Sequence, residues 1–205
     1  MRAVIIGSGD ISDYKYIKGF LRDDDFFICA DGGIRHAAGL GIEPEILIGD
    51  FDSMPKGIKT AAKVIRYPAK KDFTDGELCA EYAAEHGFSE TLFIGMTGTR
   101  LDHTINNMLL LFKCVNSKLI NEHNEIIPLC AGAGIEIKNK RGKTLSLIPL
   151  NGDLENVAMR GFEYPLDGET LYFGAARGNS NVVISDNAFI SAKKGKGLII
   201  INNGE

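Results

Sequence analysis

Three short blocks, Asp50-Phe51-Asp52-Ser53, Lys71-Asp72-Phe73-Thr74-Asp75 and Arg100-Leu101-Asp102-His103, concentrate five aspartates with a lysine, an arginine and a histidine. Each follows a short apolar stretch that reads as a buried strand. In an open α/β sheet the side chains just past the carboxyl ends of parallel strands face one crevice, so blocks distant in sequence can meet around one ligand. Carboxylates gathered this way repel unless a cation sits among them, and hard oxygen donors suit Mg²⁺ shared with the phosphates of a substrate. The pattern predicts a metal-dependent enzyme acting on a phosphorylated compound.

In extended or turn backbone, Asp50 and Asp52 project to one side while Phe51 turns into the core, and a shared cation would relieve their repulsion. The rival reading is a solvated acidic loop. Asp72 and Asp75 lie in or before the first turn of a helix, where the dipole alone favours acids by about 0.3–1 kcal/mol. Lys71 beside them suits a phosphate oxygen. The run Gly95-Met96-Thr97-Gly98-Thr99-Arg100 joins a flexible loop, hydroxyls and a fork-shaped cation to a helix start, which are the parts of a phosphate cradle. Asp102 either orients Arg100 or caps its helix, and a lone His103 fits a structural role as well as a chemical one. Two glycine turns carry less information. Gly7-Ser8-Gly9-Asp10 could offer backbone N–H groups to a phosphate. At Asp31-Gly32-Gly33 the glycines admit a ligand, while Asp31 serves either that ligand or the cap of the next helix.

These residues need a scaffold, and the first half of the chain alternates strand and helix. Short segments at 3–6, 26–30, 46–48, 64–67, 91–94 and 118–120, most of them apolar runs, read as buried parallel strands. The clearest helices run from about 74 to 86, opening with a capping box Thr74-x-x-Glu77, and from 102 to 115, with Ile105, Met108, Leu109 and Phe112 at helical spacing. This predicts a doubly wound α/β domain with right-handed crossovers. The pattern changes near residues 122–125. Beyond it come short alternating segments at 135–138, 144–148, 182–184, 188–192 and 198–201, with turn signals at Lys140-Arg141-Gly142, Asn151-Gly152-Asp153, Asp167-Gly168 and Lys194-Gly195. They predict an all-β sandwich or partial barrel, so the expected division is 1–123 for the α/β domain and 124–205 for the β domain.

With 205 residues, 44% of them hydrophobic, the chain can bury one large core or two small ones. A formal net charge of −4, scattered along the chain, leaves no basic footprint for nucleic acid. No apolar run approaches the roughly 20 residues needed to span a bilayer. Ala3-Val4-Ile5-Ile6 is too short for a secretory signal, so the expected location is cytoplasmic. Cys29, Cys79, Cys114 and Cys130 stand far apart in apolar contexts without a CxxC pair, which predicts buried free thiols.

In order and spacing, Ala30-Asp31-Gly32-Gly33, Gly49-Asp50-Phe51-Asp52-Ser53, Lys71-Asp72-x-Thr74-Asp75 and Gly98-x-Arg100-Leu101-Asp102-His103 resemble the thiamin pyrophosphokinase (thiamin diphosphokinase) family. Ser146-Leu147-Ile148-Pro149-Leu150, Gly161-Phe162-Glu163-Tyr164-Pro165-Leu166 and Ser180-Asn181 are similar to that family's thiamin-binding β domain, so the resemblance spans essentially the whole chain. It implies transfer of the terminal diphosphate of ATP to the hydroxyl of thiamin, with AMP leaving, in a homodimer whose sites lie between the α/β domain of one protomer and the β domain of the other. On this chain it implies Asp50, Asp52 and Asp75 at Mg²⁺ with Asp72 close by. ATP would fall to Thr97, Gly98, Arg100 and Asp102, and thiamin to Ser180 and Asn181. Asp31 and Lys71 are further candidates for ATP, and Asp72 with Arg100 for the chemistry. Two departures stand out. Asn179 precedes Ser180 and Val182 follows Asn181, where the family often has a hydrophobic residue and an acid. The chain also has no tryptophan, so aromatic packing on the substrate must come from Tyr or Phe, or be absent. The competing readings are a pyrophosphokinase for another hydroxymethyl heterocycle, such as a pterin, and a non-catalytic nucleotide- or thiamin-binding regulator.

Overall fold

Ala3, Val4, Ile5 and Ile6 are each fully buried, as a strand covered on both faces requires. They form β1 (Arg2–Ile6) in a computed structural model that describes residues 1–51, 60–68 and 72–204. The expected site residues Asp52 and Lys71, with Ser53, lie outside the described residues. The chain divides into two compact units, Met1–Glu122 and His123–Glu205.

In the first unit β1 pairs in parallel with β2 (Phe26–Ala30) on one side and β5 (Glu90–Ile94) on the other. From β2 the sheet continues through β3 (Ile46–Gly49) to β4 (Lys63–Arg66), and from β5 to β6 (Ser117–Ile120). The order β6-β5-β1-β2-β3-β4 reverses direction between β1 and β5, where an open α/β sheet leaves a crevice at the carboxyl ends of its strands. One face carries α1 (Tyr14–Lys18) and α2 (Ile34–Leu40), whose Ile17, Ile34, Ala37 and Leu40 join Val4, Ile6, Leu47, Leu92 and Ile94 in one apolar cluster. Helix α3 (Asp75–Glu85) packs on β1, β2 and β3 and against α4 (Leu101–Leu110). The doubly wound architecture expected from the alternating pattern is present.

Two local expectations change. Thr74 caps α3, accepting from the Glu77 N–H at 3.1 Å, but the Glu77 carboxylate accepts instead from Lys113 at 2.7 Å, so the capping box is half built. In α4 the phase differs. Leu101, Ile105 and Leu109 are 71, 58 and 45% exposed, while Leu110 and the following Leu111 enter the core. The α4 side carrying Thr104 and Asn107 turns toward the site. At the amino end of the sheet, Arg2 donates from Nε and Nη2 to Asp25 at 2.8 and 2.6 Å, and Asp25 also accepts from the Arg22 N–H at 2.8 Å.

The second unit is two antiparallel sheets. In one, β14 (Lys196–Asn202) lies between β7 (Asn124–Cys130) and β9 (Thr144–Pro149), with the short β12 (Asn181–Val182) beyond β9. In the other, the order is β11 (Leu166–Leu171), β10 (Leu154–Arg160), β13 (Asn187–Ser191) and β8 (Gly134–Lys138). Leu145, Leu147 and Ile199 from the first meet Val157, Met159 and Ile190 from the second in a single core, the packing of a sandwich. Asp167-Gly168, a turn by composition, lies inside β11. Val157 pairs with Glu169 and Ala158 with Asp167, which leaves Gly168 as the extra residue of a β-bulge, with φ +94°.

All four cysteines are free thiols. Cys29 and Cys79 are buried as expected, Cys114 is half-buried, and Cys130, at the end of a strand, is exposed. Burial, with help from Glu43 and Glu45, pushes the Cys29 thiol up to about 12, so it stays protonated. Among the described residues no helix is long and apolar enough to cross a membrane.

Candidate active site

The carboxyl ends of β1 and β5 run on side by side after the strands stop. Gly7 N–H donates to Ile94 O at 2.9 Å, Gly9 N–H to Gly95 O at 2.7 Å and Asp10 N–H to Thr97 O at 2.7 Å. Glycine is required here because a Cβ on Gly9 would stand 2.3 Å from Thr97 O. Three of the four amides of this turn are therefore spent on the neighbouring loop and are not offered to a phosphate. What they build is one wall of a cavity of about 490 Å³ at the switch point.

The adjoining loop from Gly95 to Arg100 continues that wall, and it is held from three directions. Thr104 Oγ1 accepts from the Gly98 N–H at 3.2 Å and donates to Gly98 O at 3.3 Å. Asn107 Nδ2 donates to Met96 O at 2.8 Å, and Asn121 Nδ2 donates to Thr97 Oγ1 at 3.1 Å. The loop feeds α4, whose N-cap residue Arg100 makes no side-chain cap, and a helix start of this kind favours an anion. Arg100 lines the cavity, and its Nη2 and Nε donate to Asp102 at 2.6 and 3.3 Å. Asp102 orients Arg100, and its carboxylate also takes a backbone contact from His103 in the first turn of the helix. The hydrogen bond from Arg100 holds the Asp102 carboxyl below the usual carboxylate range and raises the Arg100 guanidinium above its own.

Carboxylates enter from four strand or helix ends. Asp10 follows β1 and lies against Gly98, Asp31 follows β2, Asp50 follows β3 and Asp75 opens α3; all four line the cavity. Asp31, at φ +37°, and Phe51, at φ +66°, have left-handed backbone that large L side chains rarely adopt, strain of the kind found at functional sites. Phe51 packs toward the core from left-handed backbone, as the sequence reading allows, and the Arg66 guanidinium covers its ring at 4.9 Å from the centroid. The cap role weighed for Asp31 is not taken, since α2 begins without a side-chain cap. Thr97, Gly98 and His103 also line the cavity, whereas Asp72 is exposed and outside its lining.

Sequence reasoning missed Asp10 and the supports Thr104, Asn107, Asn121 and His36. The polar pair Thr104 and Asn107, one helical turn apart, was the available signal. His36 is buried under the first wall, its Nε2 2.6 Å from Gly9 O and its Nδ1 2.8 Å from the Tyr14 hydroxyl. Gly9 O can only accept, so the proton is on Nε2 and Tyr14 donates to Nδ1. Burial lowers the imidazole below its ordinary value and keeps it neutral.

The donor set fits Mg²⁺. Hard carboxylate oxygens surround a space large enough for phosphates, and among the described residues no three acids, histidines or cysteines form a ready-made cage. Mg²⁺ is commonly held in this way, by one or two carboxylates together with phosphate oxygens and water.

A switch-point crevice with an uncapped helix start, a forked arginine and an acidic rim defines a phosphate-handling protein of the doubly wound α/β class. Residues 17–121 match the model of the thiamin pyrophosphokinase catalytic domain, and residues 134–196 that of the thiamin pyrophosphokinase vitamin B1 binding domain. The chain belongs to the thiamin pyrophosphokinase family. It is 30% identical over 200 residues to thiamine pyrophosphokinase of Bacillus subtilis (strain 168), covering 93% of this chain and 94% of that protein. The crystal structure of thiamine pyrophosphokinase from Bacillus subtilis superposes with a TM-score of 0.89 over the full length of both chains at 26% identity. Thiamin pyrophosphokinase from Candida albicans shares the fold, with a TM-score of 0.79 at 17% identity over 98% of this chain and 88% of that one.

Proposed function

We propose that the protein transfers the diphosphate of ATP to the hydroxyl of thiamin, giving thiamin diphosphate and AMP. The observation that carries this reading is the crevice between β1 and β5, where Arg100 and the uncapped start of α4 face four carboxylates. The thiamin oxygen bonds to the β-phosphorus of ATP, the bond from that phosphorus to the AMP oxygen breaks, and the hydroxyl proton is released. Such a reaction is governed by positioning and by neutralising charge on the phosphate oxygens. Thr97, Gly98 and the α4 start hold the phosphates. Arg100, steadied by Asp102, takes charge developing on them. Asp31 and Lys71 are assigned to ATP, and Asp72 to orienting or deprotonating the hydroxyl. Asp50, Asp75 and, by its motif, Asp52 would hold Mg²⁺, which supplies charge neutralisation on the phosphate oxygens when bound.

The β unit contains a separate cavity of about 410 Å³, lined by residues that include Tyr164, Asn179 and Asn181, and this is the cavity assigned to thiamin. We further propose a homodimer in which the β unit of one protomer completes the site of the other. Exposed Tyr172, Phe173 and Ile184 are surface that a second copy would cover. Four free cysteines suit the reducing cytoplasm expected from the sequence.

The deciding experiment incubates purified protein with Mg²⁺, ATP and thiamin and measures AMP and thiamin diphosphate. Equal amounts of both are expected, with neither formed when thiamin or Mg²⁺ is left out. Release of phosphate in place of AMP would overturn the reaction, and turnover on a hydroxymethyl pterin but not on thiamin would overturn the substrate. For the assembly, sedimentation equilibrium is expected to give twice the chain mass; a monomer that retains full activity would sink the shared site.

A further inference from the structure

Two consecutive peptides of the turn after β1 are gripped at both ends. The peptide joining Ser8 to Gly9 donates its N–H to Gly95 O at 2.7 Å and accepts, at Ser8 O, from the Arg35 guanidinium. The peptide joining Gly9 to Asp10 donates its N–H to Thr97 O at 2.7 Å and accepts, at Gly9 O, from His36 Nε2 at 2.6 Å. The amides thus face the loop assigned to phosphate, and the carbonyls face α2, whose Arg35 and His36 stand outside the cavity lining. A carbonyl turned into the cavity would meet phosphate oxygens with the negative end of its dipole, and this grip prevents it.

His36 reaches the second segment as well. Its Cδ2 lies 3.4 Å from the point a Cβ on Gly95 would occupy, so the buried ring packs beneath both segments at once. The ring is held in turn by the Tyr14 hydroxyl, 2.8 Å from Nδ1. Room for Tyr14 comes from Gly39 inside α2, where a Cβ would stand 2.7 Å from the tyrosine ring. Glycine within a helix is less stable than alanine, so α2 gives up stability to seat the tyrosine beside the histidine. The result is one directed chain in which each bond polarises the next: Tyr14 O–H to His36 Nδ1, His36 Nε2–H to Gly9 O, and Asp10 N–H to Thr97 O.

We propose that His36, set in one tautomer by Tyr14, is a positioning residue for the nucleotide phosphates and acts on Thr97 and Gly98 through the peptide between Gly9 and Asp10. The proposal rests on this crevice being the ATP site. A neutral imidazole suits the task, because one ring nitrogen donates to Gly9 O while the other accepts. Burial lowers the ring below its ordinary value and Arg35 adds to this, against the Gly9 carbonyl, Asp10 and Glu122, which favour the charged form. The brace therefore keeps one form at neutral pH. Only as pH falls through that lowered value does Nδ1 gain a proton and Tyr14 lose its acceptor.

The test combines calorimetry of ATP binding in the presence of Mg²⁺, steady-state kinetics and nitrogen NMR of the histidines, all on the full chain. His36→Leu, which leaves Gly9 O without its donor, is expected to weaken ATP binding roughly tenfold and to raise the KM for ATP while the KM for thiamin is unchanged. His36→Gln carries a neutral amide able to donate to Gly9 O and should recover ATP binding to within about threefold of the parent, with Tyr14→Phe between the two. A His36→Gln protein as impaired as His36→Leu, or a KM for thiamin that rises as much as that for ATP, would overturn the positioning role. Where His36→Leu does not fold, Tyr14→Phe decides: parental ATP affinity overturns the proposal, and weaker ATP binding with a parental KM for thiamin supports it. The NMR spectrum is expected to show His36 as the neutral Nε2–H tautomer at about pH 6.5, where an ordinary histidine is half charged, and an Nδ1–H tautomer would overturn the directed chain. A parent protein that binds ATP but forms no AMP from thiamin would overturn the proposed reaction and leave these comparisons decisive. A parent that binds no ATP would overturn both.

Discussion

Replacing Arg100 by lysine is expected to lower kcat about 100-fold while the melting temperature stays within about a degree of the parent's. The guanidinium does two things at once: Nη2 and Nε engage Asp102 at 2.6 and 3.3 Å while the rest of the fork faces the cavity. An ammonium keeps the charge but cannot hold both partners in one plane. The pair is exposed, so the change removes little packing. Asp102→Asn should cost less, since the arginine remains and only its orientation loosens. The Asp102 carboxyl titrates below the usual range, chiefly because Arg100 donates to it. The pairing is therefore present at neutral pH and is lost only as pH falls through that lowered value. Steady-state kinetics with ATP as the varied substrate check this, and an Arg100→Lys enzyme with parental kcat and KM would remove Arg100 from the phosphates.

The largest stability effect is expected at the other end of the same strands. Asp25→Ala should destabilise the α/β unit by about 3–5 kcal/mol, because it leaves the Arg2 charge buried and uncompensated. The Asp25 side chain is fully buried and that of Arg2 is 11% exposed. Arg2 also donates to Phe20 O at 2.8 Å, so a single carboxylate organises the start of β1 and the turn that leads into β2. A fall in melting temperature of roughly 6–20 °C corresponds to that loss. Below the transition, activity per folded molecule should be unchanged, because the pair sits at the amino ends of the strands and the crevice at their carboxyl ends. A melting temperature within about 2 °C of the parent's would show that the pair contributes little.

The elements legible in the sequence were those whose burial matches a simple period. Residues 3–6 and 92–94 are uninterrupted apolar runs, and both lie in interior strands. The strands that escaped each carry an irregularity that breaks the period. Pro128 sits inside β7, a left-handed Asn156 shifts the register within β10, and Gly168 bulges out of β11. In α4 the apolar residues at helical spacing were real, but spacing cannot say which side of a helix faces the sheet. Leu101, Ile105 and Leu109 face outward while Thr104 and Asn107 brace the site. The acids were found because charge at strand ends stands out against apolar neighbours. Asn121 was not, because a single side-chain amide bonded to one threonine hydroxyl leaves no pattern in a single sequence.

The hydrogen bonds that join residues 7–10 to residues 94–97 bear on the order in which this unit folds. The two segments follow the first and fifth strands, so a long loop must close before either has its partner. Binding competence is thus acquired late, and a chain shortened before β5 has no crevice at all. The same linkage acts in reverse. A ligand seated against both segments resists opening of the whole α/β unit and not of one loop, so saturating nucleotide should slow hydrogen exchange in β1, β2 and β5 together.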